Sequence, residues 1–132
     1  MPFNKLLGIR VVRIHADGVT LHCSVRDELK NIAGVLHGGV AAAMADAAVG
    51  ISLASHFGGR RPCTTTELKI NYLRPVAEGK MIARAHLLRV GKNLCVGRVD
   101  LFDAKRKLVA AAIVTYILLA TDRHGSTRMR SC

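Results

Sequence analysis

Aromatic side chains are scarce in this chain: no Trp, two Tyr and three Phe, 4% of 132 residues. A core must therefore be built from Val, Leu, Ile, Ala and Met. No interleaved rings are present on which unpaired bases could stack, so single-stranded nucleic acid is not an expected partner. Acids are also few, nine against 20 Lys and Arg, for a formal net charge of +11 at pH 7. Such a surplus suits nucleic acid, an anionic membrane or a phosphorylated small molecule. The basic residues are scattered from Lys5 onward, and the one dense run is Lys105-Arg106-Lys107, which argues against nucleic acid. The four cysteines (Cys23, Cys63, Cys95 and Cys132) are far apart and form no CxxC pair. Zinc and thioredoxin-like chemistry are thus unsupported, and no metal is expected. No uninterrupted apolar segment of the secretory kind opens the chain, so reduced thiols and a cytoplasmic location are expected. The longest apolar stretch, Val40 to Leu53, contains Asp46 and is too short to cross a bilayer.

The length suits one domain, expected over residues 1–120, with 121–132 a basic, frayed tail. Half the residues are hydrophobic and the mean hydropathy is +0.25. That is high for so small a soluble monomer, and implies that a subunit interface hides part of the surface. Leu6 to Ile14 and Gly18 to Val25 read as strands about an Ala16-Asp17-Gly18 turn. Arg26 to Leu36 reads as a loop. From Gly38 or Val40 to about Phe57 the residues are apolar nearly all round, the mark of a buried helix, and Gly58-Gly59 ends it. Thr64 to Leu73 then alternates, with Thr66, Leu68, Ile70 and Tyr72 on one face and Thr65, Glu67, Lys69 and Asn71 on the other. Strands over Gly79–Val90, Leu94–Phe102 and Leu108–Leu119 follow. The later strands, joined by short turns, should be antiparallel neighbours. The order β-β-α-β-β-β-β gives an α+β fold in which an antiparallel sheet wraps one long helix, because nothing else can cover that helix.

The most informative stretch is Asn31-Ile32-Ala33-Gly34-Val35-Leu36-His37-Gly38-Gly39, with Asp46 in the alanine-rich sequence after it. Glycines at a helix start leave backbone N–H groups approachable at the positive end of the dipole. Such a place can hold a polarised carbonyl or an oxyanion. A carboxylate among alanines is costly to bury unless something uses it.

These residues resemble the hotdog-fold acyl-CoA thioesterases, specifically the phenylacetate-pathway (PaaI-like) branch, over about residues 4 to 119. The signature is Asn31-x-x-Gly34-x-x-His37-Gly38-Gly39 with Asp46 nine residues past His37, joined by Asn71-Tyr72-Leu73-Arg74-Pro75 and Gly91-Lys92. The resemblance implies a protomer whose sheet wraps one helix, a homodimer or homotetramer, and active sites at the dimer interface. It implies hydrolysis of an acyl-CoA thioester, which is a substrate rather than a cofactor, and no further cofactor. By the same resemblance Asp46 is the catalytic acid, Gly38 or Gly39 supplies the carbonyl-polarising N–H, and Asn31 and His37 shape the loop. Thr65 stands where some members carry a Ser or Thr after the helix. Gly50 stands where others carry a Thr, a departure from that pattern.

Asp46 could serve as general base or as nucleophile forming a mixed anhydride. It lies roughly 10–12 Å along the helix from the glycines, so a second subunit is expected to complete each site. Thr65 would bond the water or Asp46, and Glu67, taken to share its strand face, is a rival acid. Arg74, Lys92, Arg60 and Arg61 are candidate holders of the coenzyme A phosphates. Two other readings stay open: a catalytically silent acyl-CoA-binding module, and an enoyl-CoA hydratase or dehydratase.

Overall fold

The computed structural model describes residues 1–120; the tail expected over 121–132 lies outside the described residues. A short helix, α1 (Pro2–Leu7), comes first, and then β1 (Arg10–His15), β2 (Gly18–Ser24), the long helix α2 (Gly38–His56), β3 (Cys63–Tyr72), β4 (Lys80–Val90), β5 (Leu94–Phe102) and β6 (Leu108–Leu118). One six-stranded sheet has the order β1-β2-β4-β5-β6-β3, and every pair in it is antiparallel. This is the hotdog arrangement expected from the sequence, with two corrections. The first strand begins at Arg10, not Leu6. Pro2 at the helix start and Gly8 in the left-handed region (φ 80) at its end bracket α1 instead, the usual punctuation of a helix. Secondly, β3 does not neighbour β4. The link over residues 73–79 carries the chain across, so that β3 pairs with β6 at the far edge.

The core sits between α2 and the concave face of the sheet. Leu21, Ala83, Ala85, Val99, Leu101 and Val114 project inward and are fully buried. Small helix residues let the sheet close in, and Gly97 on β5 is required for it: a Cβ there would stand 2.7 Å from Val49 Cγ2. At its C-terminus α2 stops as the sequence indicates. Gly58 and Gly59 take positive φ and donate to the Ser55 and Ala54 carbonyls, capping the last turn. This helix is long and apolar enough to cross a membrane, yet 56% of its most apolar window is buried inside the protein. The wrapped sheet accounts for its hydropathy. Cys23 and Cys95 are buried free thiols. Cys63 is buried as well.

One side of this core is left open. On α2, Gly39 is exposed, and Ala42, Ala43 and Asp46 are only half-buried. Beside them the inward-facing Leu68 and Ile70 of β3 are half-covered, and Tyr72 is exposed. The outer edge of β3 pairs with no strand among the described residues.

Candidate active site

The loop before α2 is held by its own polar groups. Asn31 Oδ1 accepts from the N–H groups of Ala33 (3.0 Å) and Val35 (3.3 Å). Gly34 turns the chain with φ 79, and the Asn31 N–H donates to the Val35 carbonyl. Asn31 therefore makes an Asx-type turn and holds the segment that leads to the helix. His37 is the N-cap: its Nδ1 accepts from the Gly39 N–H at 2.8 Å. The imidazole must then carry its proton on Nε2 when neutral. His37 O accepts from Val40 N–H.

This pattern separates the two glycines. The Gly39 N–H is occupied by His37, whereas the Gly38 N–H makes no hydrogen bond among the described residues. Of the two, Gly38 is the one with an amide free for a carbonyl oxygen. Glycine is also needed there sterically, since a Cβ would lie 3.1 Å from the Tyr72 ring. Tyr72 packs over this turn and its hydroxyl donates to the Gly38 carbonyl at 2.6 Å. Beside it opens a cavity of about 370 Å³. Leu36, Ala41, Val76, Met81 and Val109 give it apolar walls, and Asn31, Tyr72 and Arg74 supply its polar groups.

Two turns further along α2, Asp46 is fixed by two hydroxyls. Thr65 Oγ1 and Tyr116 Oη each donate to Asp46 Oδ1, both at 2.6 Å. Tyr116 Oη also lies 2.8 Å from the Asp46 carbonyl oxygen. Oδ2 makes no hydrogen bond among the described residues. Burial and then the hydrogen bond to Asp46 push the Tyr116 phenol well above its ordinary pKa, so it stays protonated and remains a donor.

Thr65 reaches Asp46 because β3 carries a bulge. Thr65 pairs with the buried Tyr116, Glu67 pairs with Thr115, and the register shifts between them. The extra residue, Thr66, breaks the alternation. Thr65 consequently faces the core with Leu68, and Glu67 turns to the outer face, where it is exposed. Glu67 is thereby removed as a rival acid, and the strict two-face reading of this strand is corrected.

The four basic candidates separate into two groups. Arg74 lies at the cavity beside Gly38. Arg60, Arg61 and Lys92 lie at the other end of α2, where Leu118 and Leu119 bond to Asn93 and Pro62. There Arg61 Nε donates to the Leu119 carbonyl at 2.8 Å, a structural contact. Tyr116 was missing from the sequence candidates. Its only signal was rarity, for the chain has two tyrosines and both bond to α2 at this site.

The thioesterase superfamily model matches residues 33–110, from the loop to the first residues of β6. The chain belongs to that superfamily. A medium/long-chain acyl-CoA thioesterase of Escherichia coli, YigI, is 28% identical over 133 aligned positions, which cover 89% of this chain and 86% of the relative. Among solved structures, a thioesterase from Haemophilus influenzae superposes with a TM-score of 0.87 at 26% identity, covering 92% of this chain and 86% of the other. A protein from Thermus thermophilus superposes with a TM-score of 0.81 at 27% identity, over 90% and 98%. The superfamily supports hydrolase activity, and Gly38 and Asp46 are the two candidate working groups in this chain.

Proposed function

We propose that this thioesterase hydrolyses acyl-CoA thioesters with Asp46 as general base. The observation that carries the reading is the asymmetric hold on the carboxylate: two hydroxyls saturate Oδ1 and leave Oδ2 to accept a proton. In this reading the Gly38 N–H donates to the thioester carbonyl oxygen as negative charge develops there. Water attacks the carbonyl carbon while its proton passes to Asp46 Oδ2. The C–S bond then breaks, and the departing thiolate takes the proton, leaving free acid and free thiol.

The two groups are about 12 Å apart along one helix, so we infer a homodimer in which Gly38 of one protomer serves Asp46 of the other. The open side of the core supports this, since it presents Ala42, Ala43 and Asp46 beside the unpaired β3 edge. Antiparallel pairing of two β3 edges would also bring the Arg60–Arg61 end of one protomer toward the Arg74 end of its partner. That would gather the candidate phosphate holders from both chains. The Asn-x-x-Gly-x-x-His-Gly-Gly pattern with Asp46 favours the phenylacetate-pathway branch, while the Escherichia coli relative's name points to medium and long acyl chains.

The test is free-thiol release from a panel of aryl and alkyl acyl-CoAs by the wild type and Asp46→Asn. We expect hydrolysis by the wild type and a loss on the order of 10²–10⁴-fold in the variant, with the fold and oligomer mass retained. Unchanged hydrolysis in Asp46→Asn would remove Asp46 from the mechanism. Binding without thiol release would favour a silent acyl-CoA module, and water addition to an enoyl-CoA would favour a hydratase. Label from ¹⁸O-water found in Asp46 after a single turnover would replace the general base with a nucleophile.

A further inference from the structure

The outer face of the sheet, turned away from α2, holds a second and larger concavity of about 520 Å³. Its walls are basic: Arg13, Arg84 and Arg106, with His15 and His22. Val12, Ile82 and Phe102 give it an apolar part. The strand register explains the clustering. Arg13 pairs with Thr20 and Thr20 with Arg84, so the two arginines flank one strand at about 10 Å. His22, Ile82 and Phe102 form the next row on the same face.

Among the described residues no acid lines the groove. The nearby Asp17 is committed to Arg84 at 2.7 Å and His86 at 2.9 Å, and Asp100, across from Arg84, faces Arg98 at 3.6 Å. Arg13 and Arg106 have no acidic partner among the described residues. Burial first, and then the neighbouring basic side chains (Arg84 and Arg13 at His15; Lys80, Arg10 and Arg106 at His22), lowers the pKa of both histidines. Arg106 has a further peculiarity: it is the one non-glycine with positive φ among the described residues (φ 66). Asp103 Oδ1 accepts from the N–H groups of Lys105 and Lys107, both at 2.9 Å. The turn so held keeps an arginine at the groove in a conformation that glycine adopts more easily.

We propose that this groove binds a small molecule of the nucleoside diphosphate class. Arg13 and Arg106 are the free guanidinium groups, with the fork geometry that recognises phosphate oxygens. Arg84, oriented by Asp17, adds positive potential, and Phe102, Ile82 and Val12 supply apolar surface for the ring portion. The volume fits a small-molecule site, and the concavity favours a compact anion over an extended polyanion. The groove and Asp46 lie on opposite faces of the sheet, so this site stands independently of the hydrolytic reading.

The experiment is calorimetric titration of the full-length protein with ADP and with inorganic pyrophosphate, at low and high salt, for the wild type and Arg13→Gln/Arg106→Gly. Glycine is chosen at 106 because φ 66 suits it, so loss of binding cannot come from a strained turn. We expect the wild type to bind ADP more tightly than pyrophosphate, with both weakened by salt. The double variant should lose about tenfold in ADP affinity for each guanidinium removed, with thiol release from acyl-CoA unchanged. Absence of ADP binding at low salt overturns the proposal, as does equal affinity in the double variant. A change in oligomer mass with ADP affinity unchanged would make this face an interface between copies and overturn it equally.

Discussion

Helix α2 carries two candidate working places built in opposite ways. At its first turn the useful group is a backbone amide, and the structure around Gly38 is mostly exposed: a capping imidazole, an Asx turn and a phenol laid over the top. At its third turn the useful group is a side chain, Asp46, held by hydroxyls from β3 and β6. Both strands belong to the sheet that wraps the helix. The first place depends on local loop geometry, the second on the packing of distant segments. A carbonyl-polarising amide needs little more than an unpaired N–H at a helix start. A carboxylate that must present one chosen oxygen needs rigid support on every other side.

The contrast can be broken at either place, and the effects should differ in kind. Gly38→Ala puts a Cβ 3.1 Å from the Tyr72 ring and leaves the amide itself in place. We expect turnover to fall by about 10–100-fold through misplacement of that amide, with little change in melting temperature. Steady-state kinetics beside a thermal melt would check it, and an unaltered kcat would mean that this turn does not contact substrate.

Tyr116→Phe acts on the packed side. Asp46 keeps Thr65 as its one remaining hydroxyl donor, so we expect about a tenfold loss of kcat, with about 1 kcal/mol of stability lost with the hydrogen bond. The raised phenol pKa also has a signed consequence. The unfolded chain releases this proton near pH 10 while the folded chain still holds it. Stability is therefore fully present below about pH 10 and is lost as pH rises beyond it. Denaturant titrations across that range should show a shallower alkaline decline in Tyr116→Phe. Some decline should persist, because burial raises the Tyr72 pKa as well.

The smallest effect is expected at Asn31→Ala. Two N–H groups lose their acceptor, but both lie in an exposed loop where water can replace it. A loss of about 0.5–1 kcal/mol, or roughly 3 °C in melting temperature, should come with a severalfold change in kcat/KM. A larger collapse of activity would show that Asn31 touches substrate directly.

Much of this was legible from the chain alone, for reasons that also mark where legibility ended. The all-round apolar stretch, the Gly58-Gly59 stop and the motif ending in Gly38-Gly39 are local signals, each carried by residues adjacent in the chain. The short helix at the N-terminus is equally local, bracketed by Pro2 and Gly8, but it is only six residues long and the apolar residues from Leu6 onward read as one strand. The bulge at Thr66 was beyond reach because it exists only in the pairing of β3 with β6. A period-two reading runs straight through it and puts Glu67 beside Thr65. Tyr116 lies 70 positions from Asp46 in sequence, and nothing local distinguishes it from a core aromatic.

The two tyrosines give this protein a built-in spectroscopic reporter. With no tryptophan to mask them, the near-ultraviolet emission belongs to Tyr72 and Tyr116. One of them rests on the amide turn, and the other is bonded to the carboxylate. Emission from a phenol bonded to a carboxylate is quenched, so any event that loosens Asp46 should brighten the protein. Substrate engagement could then be followed in the unlabelled molecule, with the Phe variants assigning each half of the signal.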